Sequence, residues 1–274
     1  MEVQLLSRTK VLADYLKGHR IHILMYHSVS DDPLDPWTVS PQKFAIQINW
    51  LKAKGCNVIS LNQALMDFQS GNIRAKSVVL TFDDGYVDFL ENAVPILREY
   101  QYPATVFVIP GKTGCNSYWQ SLKLQKPLLS WEGIKQIAKL GYQVASHGLN
   151  HLKLIELSFK DMETEITVSK NMLEDRIGLP VNAFSFPWGN HSEREIDVLQ
   201  KAGYDCAVIA HCRLGNGRET NPFCLQRYGV SRSDSLNSFE YKVGNYKKCY
   251  VEARNILSLL VQRILAKYIN SSEQ

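Results

Sequence analysis

Short apolar runs recur along the chain, separated by longer stretches whose apolar residues return at helical spacing. The runs predict strands at His22–Tyr26, Asn57–Ile59, Val78–Phe82, Ala104–Ile109, Gln143–Ser146, Cys206–Ile209 and Leu225–Val230. Ser40 and Pro41 open a helix to about Lys54, with Ser as N-cap and Pro in the first turn. Further helices are expected from Leu61 to Phe68 and from Tyr86 to Tyr100, the latter turning Leu90, Val94, Ile96 and Leu97 inward. Ser130 caps a helix to Leu140, and Ser158 with Asp161 starts a long one to Leu173. Ser192 with Glu195 forms a capping box for a helix ending near Ala202-Gly203. This alternation predicts an α/β fold: a parallel sheet, closed or nearly so, with active groups at the strands' carboxyl ends.

Candidate chemistry falls at those ends. Val78–Phe82 runs into Asp83-Asp84-Gly85-Tyr86. Neighbouring strand residues point in opposite directions, so two adjacent Asp share a direction only once the chain leaves the strand. Gly85 supplies that turn. Two carboxylates held so close repel unless a cation or a shared proton lies between them. A metal-plus-base site is one reading and a solvated loop the other. Gln143–Ser146 likewise runs into His147-Gly148-Leu149-Asn150-His151. Imidazoles four residues apart are expected on one face of a helical turn, where both can grip one ion. Imidazole nitrogen suits zinc, and a carboxylate completes a three-ligand site with a position open to water. His-x3-His also arises by chance in polar loops, but two such pairs directly after strands favour a built site.

With these residues in view, the chain resembles the polysaccharide deacetylase family, also called the NodB-homology or carbohydrate esterase 4 family. Thr81-Phe82-Asp83-Asp84-Gly85-Tyr86 and Ser146-His147-Gly148-Leu149-Asn150-His151 match its first two motifs, with Gly148 where many members have Ser or Thr. Phe184-Ser185-Phe186-Pro187-Trp188-Gly189 is similar to the third, and the resemblance covers roughly residues 20 to 235. It implies a distorted (β/α) barrel of about seven parallel strands. It also implies one divalent ion, expected to be zinc with cobalt or nickel as alternatives, on Asp84, His147 and His151. Asp83 would be the general base. The Trp188 backbone N–H would bind the oxyanion, with Pro187 and Tyr86 also against the substrate.

Two departures matter. Ser185 stands where the family often has an Arg that steadies the catalytic Asp, so that support is missing or comes from elsewhere. The late motif, an apolar strand ending in a catalytic His, is not evident near the C-terminus. Ile23-Leu24-Met25-Tyr26-His27-Ser28 has its form at the other end, as in circularly permuted biofilm-polysaccharide deacetylases. First and last strands are neighbours in a closed barrel, so His27 is assigned as the acid that protonates the departing amine, with His211 its competitor. Ser28 replaces the Asp often found after this His, leaving its orienting partner unidentified. The expected reaction removes N-acetyl groups from amino sugars of a glycan. Hydrolysis of a small amide or cyclic ureide, and a sugar-binding module with lapsed catalysis, are the alternatives.

Composition narrows the rest. A chain of 274 residues, 45% hydrophobic, can form a single domain, with a catalytic core at about 20–235 and a helical extension at about 236–274. A net charge of +4 with no dense Lys/Arg tract is too mild to imply a nucleic-acid partner, and none is expected. No run approaches the ~18 apolar residues of a transmembrane segment. Charge returns at Arg8 and Lys10 before any apolar core of signal-peptide length. Six scattered cysteines read as reduced thiols, so a cytoplasmic location is expected, with a role on cell-surface sugar left open. Pro110-Gly111-Lys112-Thr113 lacks the upstream Gly of a phosphate loop, and no G-x-S-x-G elbow occurs. Asn255–Tyr268 is expected to be an amphipathic helix docked on the barrel, with a peripheral membrane or protein contact as its other use. Trp37, Trp119, Trp131 and Trp188 are expected mostly in the core, although loop aromatics such as Trp119 could stack on sugar rings.

Overall fold

Seven parallel strands close into a barrel in the computed structural model, which describes residues 20–117, 125–211 and 215–244. In chain order the strands are β1 (Ile21–Tyr26), β2 (Ser28–Val29), β3 (Thr38–Val39), β4 (Asn57–Val58), β5 (Ser77–Phe82), β6 (Thr105–Val108), β7 (Gln143–Ser146), β8 (Ala183–Ser185), β9 (Cys206–Ile209) and β10 (Leu225–Gly229). The ring runs β1-β10-β9-β8-β7-β6-β5 and closes because β1 pairs along its whole length with β5. The first strand therefore lies between the last strand and the one that carries Asp83.

The expected strand number is met with different members. Asn57–Val58 pairs only with the start of β5, on the edge whose far end pairs with β6, so β4 fills a split in the wall. The seventh member of the ring is instead β8, whose three residues, close before Pro187, are too few to show a pattern. β2 and β3 form a small separate pair beyond the end of β1.

Alternation along the strands divides the core into two faces. Ile21, Ile23, Val79, Phe107, Ala145, Ala183, Val208 and Leu225 fill the interior of the barrel. Their neighbours Leu24, Tyr26, Val78, Leu80, Phe82 and Val106 pack outward beneath the helices. Both faces are buried, as expected for a parallel sheet. The helices are α1 (Pro41–Ala53), α2 (Leu61–Ser70), α3 (Val94–Glu99), α4 (Trp131–Lys139), α5 (Phe159–Ile177), α6 (Glu193–Lys201) and α7 (Leu236–Lys242). The Ser40, Ser60, Ser130 and Ser158 side chains each cap their helix, and Ser192 with Glu195 forms the capping box.

The helix expected from Tyr86 to Tyr100 is interrupted by a π-turn at Phe89–Ala93. Pro95 has no N–H to donate back, and the Val94 N–H reaches Phe89, five residues earlier. The widened turn buries Phe89 against Phe82 at 4.7 Å and leaves Leu90 and Ile96 half-buried. Trp119 and the proposed helix at Asn255–Tyr268 lie outside the described residues. No helix among the described residues is long and apolar enough to cross a membrane.

Candidate active site and metal centre

Strand register brings the candidate residues together. Tyr26 pairs with Phe82, and the Asp83 N–H donates to the Tyr26 carbonyl at 2.9 Å, so His27 and Asp83 leave adjacent strands at one level. The His147 N–H, two strands round from Asp83, donates to the Val108 carbonyl at the end of β6 at 2.9 Å. Asp83 continues the inward series Val79, Thr81. Asp84 would point away, but its φ of 71° followed by 70° at Gly85 turns the chain back. Gly85 is required there, since a Cβ would lie 2.9 Å from Val108 Cγ1.

Five non-glycine residues among those described have positive φ, and three of them, Asp84, His151 and Trp188, belong to this site. Such conformations cost on the order of 1–3 kcal/mol each and persist where surrounding structure enforces them, which is typical of functional sites.

Asp84, His147 and His151 form the one His/Cys/Asp/Glu group among the described residues whose ligand atoms all lie within 4.8 Å of one another. Asp84 Oδ1 is 3.4 Å from His147 Nε2 and 3.5 Å from His151 Nε2. Those separations are long for hydrogen bonds, and Asp84 Oδ1 is buried without a hydrogen-bond partner. A tetrahedral ion with ligand bonds of about 2.0–2.1 Å spaces its ligand atoms by about 3.3–3.4 Å, so the trio fits a divalent metal. His147 Nδ1 donates to the Ser185 carbonyl at 2.8 Å, which directs the Nε2 lone pair at the centre. Burial lowers the pKa of His151 to about 4, leaving it neutral and able to ligate. Burial also disfavours charged His147, but the Asp83 and Asp84 carboxylates outweigh it and raise its pKa. Against their own burial, Arg227 and then His147 hold Asp83, and the His147 contact holds Asp84, below the usual carboxylate range.

The His-x3-His segment is not the helical turn that its spacing suggested. Gly148 (φ 76°) and His151 (φ 59°) are left-handed, and the chain forms an open loop. The buried Glu165 carboxylate of α5 holds it, accepting from the Asn150 N–H at 2.8 Å and Asn150 Nδ2 at 2.7 Å. A Cβ on Gly148 would come within 3.3 Å of the same carboxylate.

The support absent at Ser185 comes from Arg227 on β10. Its guanidinium is fully buried and forks onto Asp83, Nη1 to Oδ1 at 2.6 Å and Nη2 to Oδ2 at 2.7 Å. Nη2 also donates to Ser185 Oγ at 2.9 Å, Nη1 to Thr81 Oγ1 at 3.1 Å and Nε to the Ile209 carbonyl at 3.2 Å. Ser185 Oγ in turn donates to Asp83 Oδ2 at 3.2 Å. Asp83 is thus fixed as a carboxylate, 4.0 Å from His147 Nε2. Sequence reasoning missed Arg227, although it shares an inward face with Leu225 in a strand predicted to be buried.

A cavity of about 390 Å³ opens over these groups, lined among others by His27, Trp37, Asp83, Asp84, His147, His151 and Trp188. His27 is near enough that its charge bears on both Asp. Its Nδ1 is buried without a hydrogen-bond partner, because Ser28 Oγ turns instead to Asp88 and Lys126. His211 is exposed and does not line the cavity. Pro187 and Tyr86 are buried and do not line the cavity, and burial and then the Asp84 charge raise the Tyr86 phenol far above its ordinary range. Trp37 and Trp188 are not core residues. They are 42% and 48% exposed, with rings 5.3 Å from those of His27 and His151 respectively. A larger cavity of about 500 Å³, bordered by Asn57, Gln63, Asp67 and Arg74, lies by the start of β5 and holds no comparable donor set.

A family model described as polysaccharide deacetylase matches residues 70–207, a span that includes Asp83, Asp84, His147, His151 and Trp188 but neither His27 nor Arg227. The chain is 29% identical over 224 residues to YxkH of Bacillus subtilis strain 168, covering 81% of this chain and 76% of that one. It is 26% identical over 196 residues to the poly-beta-1,6-N-acetyl-D-glucosamine N-deacetylase of Staphylococcus aureus strain MSSA476, covering 68% and 66%. Among solved structures, the Streptococcus pyogenes deacetylase PplD in complex with acetate is similar with a TM-score of 0.72 and 25% identity, covering 82% of this chain and 98% of that one.

Proposed function

Since this chain belongs to the polysaccharide deacetylase family, we propose that it is a metal-dependent hydrolase removing N-acetyl groups from the amino sugars of a poly- or oligosaccharide, giving acetate and a free amine. The observation that carries this reading is an Asp84–His147–His151 trio, with Asp84 at tetrahedral spacing from both imidazoles, beside a second carboxylate, Asp83, that Arg227 holds ionised.

A divalent ion, which we take to be zinc, would supply an activated water and polarise the acetyl carbonyl. Asp83 accepts the proton of the attacking water at the carboxylate that Arg227 and Ser185 orient. The Trp188 backbone N–H serves as a donor to the oxyanion, presented by its left-handed conformation. His27 donates a proton to the departing sugar nitrogen, a role suited to an imidazole at neutral pH. The named activity of the Staphylococcus aureus relative makes a β-1,6-linked N-acetylglucosamine polymer the first substrate to test.

The test is acetate release from a panel of N-acetylated glycans, with and without chelator, alongside a small cyclic ureide. Chelator-sensitive acetate release from glycans is the expected result. Turnover of the ureide alone, or glycan binding without acetate, would overturn it.

A further inference from the structure

Trp37 is a half-exposed indole on a loop, yet its position is fixed from three sides. The Trp37 backbone N–H donates to Asp35 Oδ1 at 2.9 Å, and the Pro36 carbonyl before it accepts from the Arg232 backbone N–H at 2.9 Å. Beneath the ring lies Gly229 of β10, where a Cβ would stand 2.9 Å from Trp37 Cζ3. A glycine inside a strand marks close approach by another group, and here that group is the indole.

The third side is a buried ion pair. Asp35, 1% exposed, accepts at Oδ2 from Lys126 Nζ at 2.9 Å and from Thr38 Oγ1 at 3.0 Å. The Lys126 ammonium also donates to Ser28 Oγ at 2.9 Å and to Thr38 Oγ1. Ser28 Oγ donates to Asp88 at 2.5 Å, so the network runs from the residue after His27, through the loop, to the π-turn. Burying an ammonium and a carboxylate costs desolvation that an apolar pair of similar volume would avoid. The pair's geometry ties the loop that carries Trp37 to Ser28, the residue after His27. What it places is the indole beside His27.

We propose that Trp37 is the sugar platform of this site, a flat face on which a pyranose ring of the N-acetylated substrate stacks beside His27, and that the Asp35–Lys126 pair is the positioning device that holds it there. This rests on the deacetylase reading above. A Trp ring presents a large rigid apolar face at small entropic cost, and such anchors dominate binding where they line a pocket. Lys126 does not line the cavity, and Asp35 borders it beside Pro36 and Trp37; both act through Trp37.

The experiment measures binding of a short β-1,6-linked N-acetylglucosamine oligomer by calorimetry in an Asp83→Asn background, which removes turnover. Trp37→Ala should weaken binding about tenfold, Trp37→Phe should weaken it less, and bound metal should stay stoichiometric in both. In the otherwise wild-type enzyme KM should rise by a similar factor, with kcat changed far less. Lys126→Met should weaken binding in the Trp37 parent and add nothing in the Trp37→Ala background, as expected of residues acting as one unit. Asp35→Asn is the second variant should Lys126→Met fail to fold. Unchanged binding in Trp37→Ala overturns the platform. Equal losses from Lys126→Met in both backgrounds overturn the positioning role. Oligomer bound through Trp37 while wild type releases no acetate would overturn the deacetylase reading alone. Acetate release without measurable Trp37-dependent binding would overturn the platform alone.

Discussion

Replacing Arg227 by Met removes one partner of the most buried charge pair among the described residues. The side chain is 1% exposed and Asp83 3%, and Arg227 donates five hydrogen bonds, two of them to the Asp83 carboxylate. Apolar bulk is retained in Arg227→Met, so the change isolates the loss of charge and of the fork. An unpaired buried charge of this kind typically costs about 3–5 kcal/mol. At about 2–4 °C per kcal/mol for a domain of this size, the melting temperature should fall by about 6–20 °C. The assay is thermal melting of chelator-treated protein, followed by circular dichroism at neutral pH, for wild type, Arg227→Met, Asp83→Asn and the double variant. The double variant has no orphan carboxylate and should recover at least half of the loss. Arg227→Lys keeps the charge without the fork and should fall in between. Turnover of Arg227→Met below its melting temperature should drop on the order of 10²-fold, because the base loses the orientation that places it. A melting temperature within 2 °C of wild type (about 1 kcal/mol or less), or a double variant no more stable than Arg227→Met, would refute the reasoning.

Other predictions follow from single groups. His147→Ala and His151→Ala should each abolish stoichiometric metal measured by mass spectrometry, and full metal content in both would exclude the trio. Asp83→Asn should keep the metal and lose about 10²- to 10⁴-fold in turnover; loss of metal in it and retention in Asp84→Asn would exchange the two roles. His27→Ala should bind metal and melt normally but deacetylate poorly, with the basic limb of its pH–rate profile altered; an unchanged rate would transfer the acid role elsewhere. His22 is buried, and desolvation followed by the Arg20 charge lowers its pKa from 6.5 to about 4. The unfolded chain therefore binds the extra proton, so stability is full above about pH 6.5 and falls by about 3 kcal/mol toward pH 4. In urea titrations, His22→Gln should show a shallower loss between pH 7 and 4.5 than wild type, and an identical slope would disprove the assignment.

What the sequence disclosed was local. Asp83, Asp84, His147 and His151 were legible because each pair lies within one loop directly after an apolar strand, so spacing alone placed their side chains near one another. The apolar runs also placed six of the seven ring strands, and serine caps placed the starts of α1, α4, α5 and α6. Features created by partners distant along the chain were not legible. Lys126 reaches Ser28 across 98 residues and Asp35 across 91, and neither end carries a motif. The π-turn depends on one missing N–H at Pro95 inside a helix-like pattern. Two left-handed residues and the Glu165 carboxylate broke the helical turn expected for His147–His151, and four-residue spacing cannot register either.

Arg227 holds Asp83 from a different strand than the one on which an arginine is expected. In a closed barrel, inward residues on different strands converge on the same interior. Ser185 on β8 and Arg227 on β10 are separated only by β9, whose Ile209 carbonyl accepts from the Arg227 Nε as the side chain passes. A guanidinium arriving from β10 needs space where a larger residue on β8 would stand, and Ser185 leaves that space while bonding both the guanidinium and Asp83. Read position by position, Ser185 is a lost arginine and Arg227 an unexplained charge in an apolar strand. Read through the barrel they are one arrangement, in which a small hydroxyl and a displaced guanidinium together hold the same carboxylate. His27 follows the same logic, since β1 stands between β10 and β5 whichever terminus supplies it. In this fold, the ring order of the strands decides which side chains can share a site, and chain order does not.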